Sequence, residues 1–276
     1  MKMHYLSSLF NLKNKLAVIT GGGGILAGEM AKGLLLAGVK VVLLDINEEN
    51  LKSRVQQYEQ INKNIVGMKC DVLDRKNIEA VHLKILDRFK RIDILINAAG
   101  GNMQNATVGI EQNVFDLEIE NFKKVTDLNL FGTVLPTLIF GKSMAEQKEG
   151  SIINISSMAT QRAITRVVGY SAAKAAVENF TRWMAVELAQ KFGSGIRVNA
   201  IAPGFLLTEQ NRTLLTQANG TLTERGKTII RLTPFQRFGE PEELIGAVIF
   251  LSSAAAKFIT GTIIPIDGGF SAFSGV

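Results

Sequence analysis

Short runs in which every position is apolar alternate along this chain with longer stretches of helical apolar spacing. The first such run is residues 16–19, followed by a glycine cluster and a helical stretch over 29–37. Residues 41–44 form a second apolar run, ahead of a polar helical segment over 48–60. The pattern then predicts strands at 65–69, 92–96, 151–155, 196–201 and 262–266. Helices are predicted near 75–89, 121–148, 169–190 and 242–251. Strands apolar at consecutive rather than alternate positions belong to sheets buried on both faces. Strands alternating with helices imply right-handed crossovers and a parallel sheet. The expectation is therefore an α/β fold, a Rossmann-type doubly wound parallel sheet of about seven strands, in a single domain spanning 1–276. Residues 209–234 interrupt the alternation and are rich in Thr, Asn and Arg, as lids and binding loops are. A substrate lid is expected around 205–235.

Composition narrows the class without changing this picture. Of the 276 residues, 46% are hydrophobic and 20% charged, a balance that argues against long disorder. The single cysteine, Cys70, excludes an intrachain disulfide, and no zinc-ligand cluster is visible, which fits a reducing compartment. The apolar patch over residues 6–10 is too short for a signal-peptide core, and no window approaches a membrane span. A ragged N-terminus, a cytoplasmic location and no membrane partner are the expectations. The net charge of +6 comes from interspersed residues with no run of three Lys or Arg, so no nucleic-acid partner is expected. A mildly basic surface does favour an anionic substrate.

Two constellations carry chemistry. The first strand runs into Thr20-Gly21-Gly22-Gly23-Gly24-Ile25-Leu26-Ala27, in which Gly22, Gly24 and Ala27 fit the dinucleotide fingerprint between a strand and a helix. Glycines there let the backbone approach a pyrophosphate, whose charge the helix N-terminus stabilises. Asp45 ends the second strand 23 residues after Gly22, where a carboxylate accepts from ribose hydroxyls and repels a 2′-phosphate. A tight turn and a helix cap would use the same residues. The second constellation is Tyr170 and Lys174, which share one helix face at i,i+4. An ammonium ~4 Å from the phenol, at an effective dielectric of ~20, would lower its pKa by roughly three units. Ser157, 13 residues upstream at a strand end, has a hydroxyl able to meet a substrate carbonyl.

These motifs, in this order, resemble the short-chain dehydrogenase/reductase family, and the likeness runs from Lys13 to the C-terminus. Cys70-Asp71-Val72, Asn97-Ala98-Ala99-Gly100, Asn129-Leu130-Phe131-Gly132, Pro203-Gly204 and Thr208 complete the set. The resemblance implies a homotetramer using NAD (NADH) in preference to NADP. It implies Asn129, Ser157, Tyr170 and Lys174 as catalytic residues, with Asn129 holding a water that links Lys174 to solvent. It assigns the cofactor to Thr20, Gly21, Gly22, Gly24, Ile25, Leu26, Asp45, Asp71, Val72, Asn97, Ala98, Ala99, Tyr170, Lys174, Pro203, Gly204 and Thr208. Ile25 and Ala27 stand where the family's turn has glycines, which bears on the shape of the loop.

A narrower resemblance, to the D-mannonate oxidoreductase (fructuronate reductase) branch, lies in Gly100-Gly101-Asn102, Ala106-Thr107, residues 204–212 and the tail 266–276. It implies a keto sugar acid reduced to an aldonate. Asn102, Ser157, Arg162 and Arg212 are the substrate candidates, Arg212 for the carboxylate because guanidinium binds it bidentately. Arg162 and Arg166, between Ser157 and Tyr170, are weaker candidates than Arg212, and Arg237 reads as structural. The alternatives are a gluconate 5-dehydrogenase-like or other polyol or ketose dehydrogenase, and a catalytically silent cofactor-sensing protein. The tail 270–276 fits either a neighbouring subunit or the chain's own core.

Overall fold

The computed structural model describes residues 2–109 and 111–276, with the side chains of 2–4, 209 and 210 left aside. Seven strands alternate with helices: β1 (Leu16–Thr20), β2 (Lys40–Asp45), β3 (Ile65–Lys69), β4 (Ile94–Asn97), β5 (Gly150–Ile155), β6 (Ile196–Pro203) and β7 (Ile263–Ile266). They form one sheet in the order β3-β2-β1-β4-β5-β6-β7, with every pairing parallel. The order reverses between β1 and β4, and the carboxyl ends of strands flanking such a switch point open a crevice.

The consecutive apolar positions divide between two cores, one on each face. Ala17 and Ile19 of β1, Val41 and Leu43 of β2, and Ile94 and Ile96 of β4 face one layer. That layer is completed by α2 (Ile25–Leu36) and α10 (Ile245–Ser252). Leu16 and Val18, Val42 and Leu44, and Leu95 face the other. There α4 (Arg75–Phe89), α6 (Gly132–Gln147) and α7 (Val168–Phe192) supply the cover. Period-two alternation is thus present in space but invisible in the sequence, because both faces are dry. His82 is part of the second layer's edge, with Nε2 at 2.7 Å from the Ser143 hydroxyl and its ring edge-on to Phe140.

Local signals fix the helix ends. Asn47 accepts from the amides of Glu49 and Asn50 to start α3 (Glu48–Glu59), and Asp74 accepts from Asn77 to start α4. The chain leaves α4 through Lys90 in the left-handed region. The structure departs from the sequence pattern in three places. Residues expected to be ragged form α1 (Lys2–Leu9). The helix expected over 121–148 is α5 (Ile119–Thr126) and α6 joined by a π-helical turn, Asp127–Phe131. The excursion after β6 holds α8 (Glu209–Leu215) and α9 (Glu224–Leu232), packed through Leu215, Ile229 and Phe238 as a small core of their own.

Candidate active site

A cleft of about 730 Å³ opens at the carboxyl ends of the strands, within the range of small-molecule sites. Its walls take residues from Gly21 after β1, Asp45 at the end of β2, Asp71 after β3, Ala98 after β4, Ile155 of β5 and Pro203 of β6. Tyr170 and Lys174 reach it from α7, and Arg225 from α9.

The glycine turn is built for close approach. Gly21 has φ +66, and a Cβ on it would lie 2.8 Å from the Ala99 backbone. A Cβ at position 23 would meet the Asp45 carboxylate at 3.1 Å, which keeps that wall low. Gly24 is the N-cap of α2 and brings no side-chain cap, so no side-chain cap satisfies the start of the helix, whose first residues Ile25, Leu26 and Ala27 line the cleft. An uncapped helix start beside a glycine cradle suits a pyrophosphate. Asp45 stands a short way off, accepting from the Gly23 amide at 2.9 Å and the Asn47 amide at 2.8 Å. The donor set and the cradle therefore fit a dinucleotide.

Three of the residues expected at the cofactor lie behind the wall. Thr20 is fully buried and its hydroxyl accepts from the amides of Ala98 and Ala99, tying β1's end to β4's. Gly22 faces β2, where a Cβ would lie 2.6 Å from that of Leu43. Asn97 turns into the core, donating to Thr137 and Asn154, and Asn154 continues the chain to Thr181. Thr20 and Asn97 turn away because strand positions alternate sides, while Gly22, in the turn beyond β1, packs against Leu43. Gly21, Gly24, Ile25, Leu26, Asp71, Val72, Ala98, Ala99, Pro203, Gly204 and Thr208 line the cleft as expected.

Ser157, Tyr170 and Lys174 meet on the same wall. Ser157 sits in extended backbone just beyond β5 and caps the following turn, its Oγ accepting from the Ala159 amide. Lys174 is buried and its Nζ donates to the Ile155 carbonyl at 2.8 Å. That nitrogen lies 5.7 Å from the Tyr170 ring centroid, over the ring. Burial pulls Lys174 from 10.5 to about 8. Burial also raises the Tyr170 hydroxyl above its usual value, and a hydrogen bond with Ser157 offsets this in part. The lowered tyrosine expected from the i,i+4 spacing is thus not found: desolvation outweighs the Ser157 hydrogen bond, and Lys174 does not offset it. A protonated phenol is the form that gives a proton to a carbonyl oxygen.

Asn129 is held by its own network beside this wall. It is wholly buried in the π-helical turn, and its side chain pairs both ways with the backbone of Gly101, at 3.0 and 2.8 Å, and donates to the Val125 carbonyl. Those bonds use both side-chain N–H donors and one acceptor position of Oδ1, and they clamp the loop after β4.

The arginine expectations are the least well met. Arg162 lies off the cleft and donates to the carbonyls of Ser271 and Phe273. With Phe270 packed edge-on against Phe205, this folds the C-terminal tail onto its own chain. Arg212 is exposed on α8 and outside the wall, and Arg166 donates to the Val108 carbonyl. Arg237 pairs with Glu243 through two hydrogen bonds and supports the turn before α10. Of the candidates for substrate, Asn102 lines the cleft, its amide donating to Thr107.

Sequence reasoning missed two residues here. Arg225 is the arginine that lines the cleft, and its place in an irregular excursion gave no periodic signal. Glu178, buried on α7, accepts from both Ser156 and Thr160 and so pins the turn that carries Ser157. Its spacing from Tyr170 and Lys174, eight and four residues, was the available signal. Cys70 lines the cleft with a buried thiol pushed up to about 11, which leaves it protonated.

A parallel seven-stranded sheet with a glycine cradle at its switch point and a Ser, Tyr and Lys cluster on the facing wall defines a nucleotide-dependent oxidoreductase. The family model described as enoyl-(acyl carrier protein) reductase matches residues 24–271, and the chain belongs to the short-chain dehydrogenase/reductase family, as an NAD(P)-dependent oxidoreductase. An uncharacterized oxidoreductase of Bacillus subtilis is 42% identical over 275 residues, covering 96% of this chain and 98% of the relative. Among solved structures, a Haemophilus influenzae protein with the provisional name D-mannonate oxidoreductase, holding NAD, superposes with a TM-score of 0.90. It is 41% identical and covers 98% of this chain and 100% of its own. A gluconate 5-dehydrogenase from Burkholderia cenocepacia, in complex with NADP and tartrate, is 30% identical with a TM-score of 0.85, covering 96% and 98%. Among the described residues, no helix is long and apolar enough to cross a membrane, and no group of His, Cys, Asp and Glu could hold a metal ion.

Proposed function

We propose that this protein is an NAD(H)-dependent reductase of a keto sugar acid, interconverting D-fructuronate and D-mannonate. The observation that carries the reading is the cleft itself. Tyr170, Ser157 and Lys174 share the cleft with an arginine, Arg225, while Asp45 and Asp71 stand on the side beyond β1. The likeness to the NAD-holding Haemophilus protein supports the substrate.

In this reading Asp45 receives the adenosine ribose and disfavours a 2′-phosphate, and the first turn of α2 takes the pyrophosphate. Asp71 and Val72 flank the adenine, while Ala98, Ala99, Pro203, Gly204 and Thr208 enclose the remainder. Bound nicotinamide supplies the hydride. Ser157 orients the substrate oxygen by hydrogen bonding, and the Tyr170 hydroxyl donates its proton to that oxygen as the alkoxide forms. The Lys174 ammonium, held by the Ile155 carbonyl, stabilises the phenolate left behind. Asn129, by clamping Gly101, fixes the loop against which the substrate lies. The pair α8 and α9 serves as the lid. Exposed Leu138 on α6 and Trp183 and Val186 on α7 offer an apolar face for a homotetramer, which light scattering measures.

The test is NADH oxidation by purified protein with D-fructuronate, D-tagaturonate and 5-ketogluconate, repeated with NADPH. Turnover of fructuronate with NADH supports the reading. Turnover of 5-ketogluconate instead selects the second reading, a gluconate 5-dehydrogenase, which the Burkholderia structure favours. NADH binding without turnover of any of the three selects the cofactor-sensing protein.

A further inference from the structure

Two basic side chains line the cleft among the described residues, Lys174 and Arg225, and Lys174 is occupied by the Ile155 carbonyl. Among the described residues Arg225 meets no hydrogen-bond or ion-pair partner, although it is partly buried in the first turn of α9. That position is costly three times over. The helix N-terminus is the positive end of the helix dipole. Burial strips water from the guanidinium, and a second arginine, Arg166, adds like-charge repulsion; together these hold Arg225 below the usual guanidinium range.

Arg166 is itself held in place. It is a non-glycine residue at φ +79, fixed by a two-way pairing with Val108. The Val108 amide donates to the Arg166 carbonyl, and Arg166 Nε donates to the Val108 carbonyl, each at 2.9 Å. Only Nε is used, so the two terminal nitrogens meet no acceptor among the described residues. A backbone held in the left-handed region by its surroundings is a recurrent mark of functional segments. Its sequence neighbour Val167 lines the cleft, as do Ile164 and Ser157 on the same segment. The acids Asp45 and Asp71 lie on the β2–β3 side, so the cleft is negative at one end and positive at the other.

We propose that Arg225, backed by Arg166, is the receptor for the substrate's carboxylate, a role the exposed Arg212 does not fill. The inference rests on the keto sugar acid reading and assigns that substrate's orientation. The carboxylate docks under α9 while the ketone, four carbons away in a fructuronate, meets Ser157 and Tyr170. A carboxylate there relieves the repulsion between the two guanidiniums and accepts from Arg225 bidentately. Because α9 carries the receptor, binding the acid also draws the excursion against the cleft.

The experiment is calorimetric titration of D-mannonate, with neutral D-mannitol as control, into NADH-loaded protein, a combination that cannot react. Arg225→Met is expected to raise the Kd for mannonate by about tenfold to a hundredfold, the range for one charged hydrogen-bonded contact. Arg225→Lys keeps the charge and loses the fork, so it falls between. Arg166→Met gives a smaller rise, and Arg212→Met none. NADH fluorescence titration reports whether each variant has folded. An unchanged Kd in Arg225→Met and Arg225→Lys, a loss in Arg212→Met instead, or no binding of mannonate by the native protein overturns the proposal. The parent reading fails separately, by lack of keto-acid turnover while mannonate binding still depends on Arg225.

Discussion

Asp45→Asn separates two jobs that one carboxylate performs. Asp45 Oδ2 accepts from the Gly23 amide at 2.9 Å and Oδ1 from the Asn47 amide at 2.8 Å, so it braces the glycine turn as well as facing the cleft. Asparagine keeps one acceptor and turns an NH2 toward the other amide. One charge-assisted bond is lost and the second weakened, an expected cost of about 1–3 kcal/mol, toward the lower end because the site is partly solvated. The cofactor effect is larger. Two unit charges ~4 Å apart at an effective dielectric of ~20 repel by about 4 kcal/mol, and solvent halves this in an open cleft. Removing about 2 kcal/mol of repulsion against a 2′-phosphate corresponds to roughly thirtyfold. The assay is the ratio of kcat/KM for NADH to that for NADPH at fixed ketose acid, beside a urea melt. The ratio is expected to fall by about thirtyfold and the melt to shift. A melt that shifts while the ratio stays within threefold of native refutes the ribose assignment and leaves Asp45 as a turn anchor only.

Three other outcomes follow from the same geometry. Tyr170→Phe is expected to cut kcat by at least about a thousandfold, in line with loss of a positioned proton donor, with NADH affinity by fluorescence titration nearly unchanged; activity above a few per cent would remove Tyr170 from the chemistry. Ser156 and Thr160 both donate to Glu178 Oε1, so Glu178→Gln keeps the acceptor and loses the charge, and kcat is expected to fall only severalfold, while Glu178→Ala removes the brace and lowers kcat about tenfold with KM little changed; equal activity in Glu178→Ala and native protein would show the turn needs no brace. For Lys174, the folded pKa of about 8 lies below the ordinary 10.5, so the unfolded chain binds more protons between those values and stability rises with pH across that window. The buried charge costs of order 3 kcal/mol below pH 8, and Lys174→Met is expected to flatten the rise in urea melts taken from pH 7.5 to 10.5; a native protein whose stability does not rise there contradicts the buried ammonium.

The sheet was legible because burial on both faces writes itself into the sequence as uninterrupted apolar runs, and β3 falls on the expected residues, 65–69. The glycine turn, Asp45, Ser157, Tyr170 and Lys174 were legible because each motif ties a residue type to a strand end or a helix face. What escaped was set by tertiary contact. The π-helical turn at Asp127–Phe131 keeps helical apolar spacing, so nothing marks the added residue that turns Asn129 toward Gly101. Thr20 and Asn97 belong to the right motifs on the wrong side of the wall, a distinction that depends on strand phase. The arginines show the limit most clearly. Arg212 and Arg225 lie 13 positions apart in one polar segment, and only the packing of α8 against α9 decides which one enters the cleft.

The last ten residues have a practical meaning for anyone handling the protein. Arg162 grips the tail at Ser271 and Phe273, Asp267 accepts from the amides of Gly269 and Ser271, and Phe270 lies against Phe205 of the cleft wall. The chain's end is therefore part of the floor on which the substrate loop rests. A purification tag fused after Val276, or a truncation that trims the tail, would be felt as a change in what the cleft binds rather than as a loss of fold.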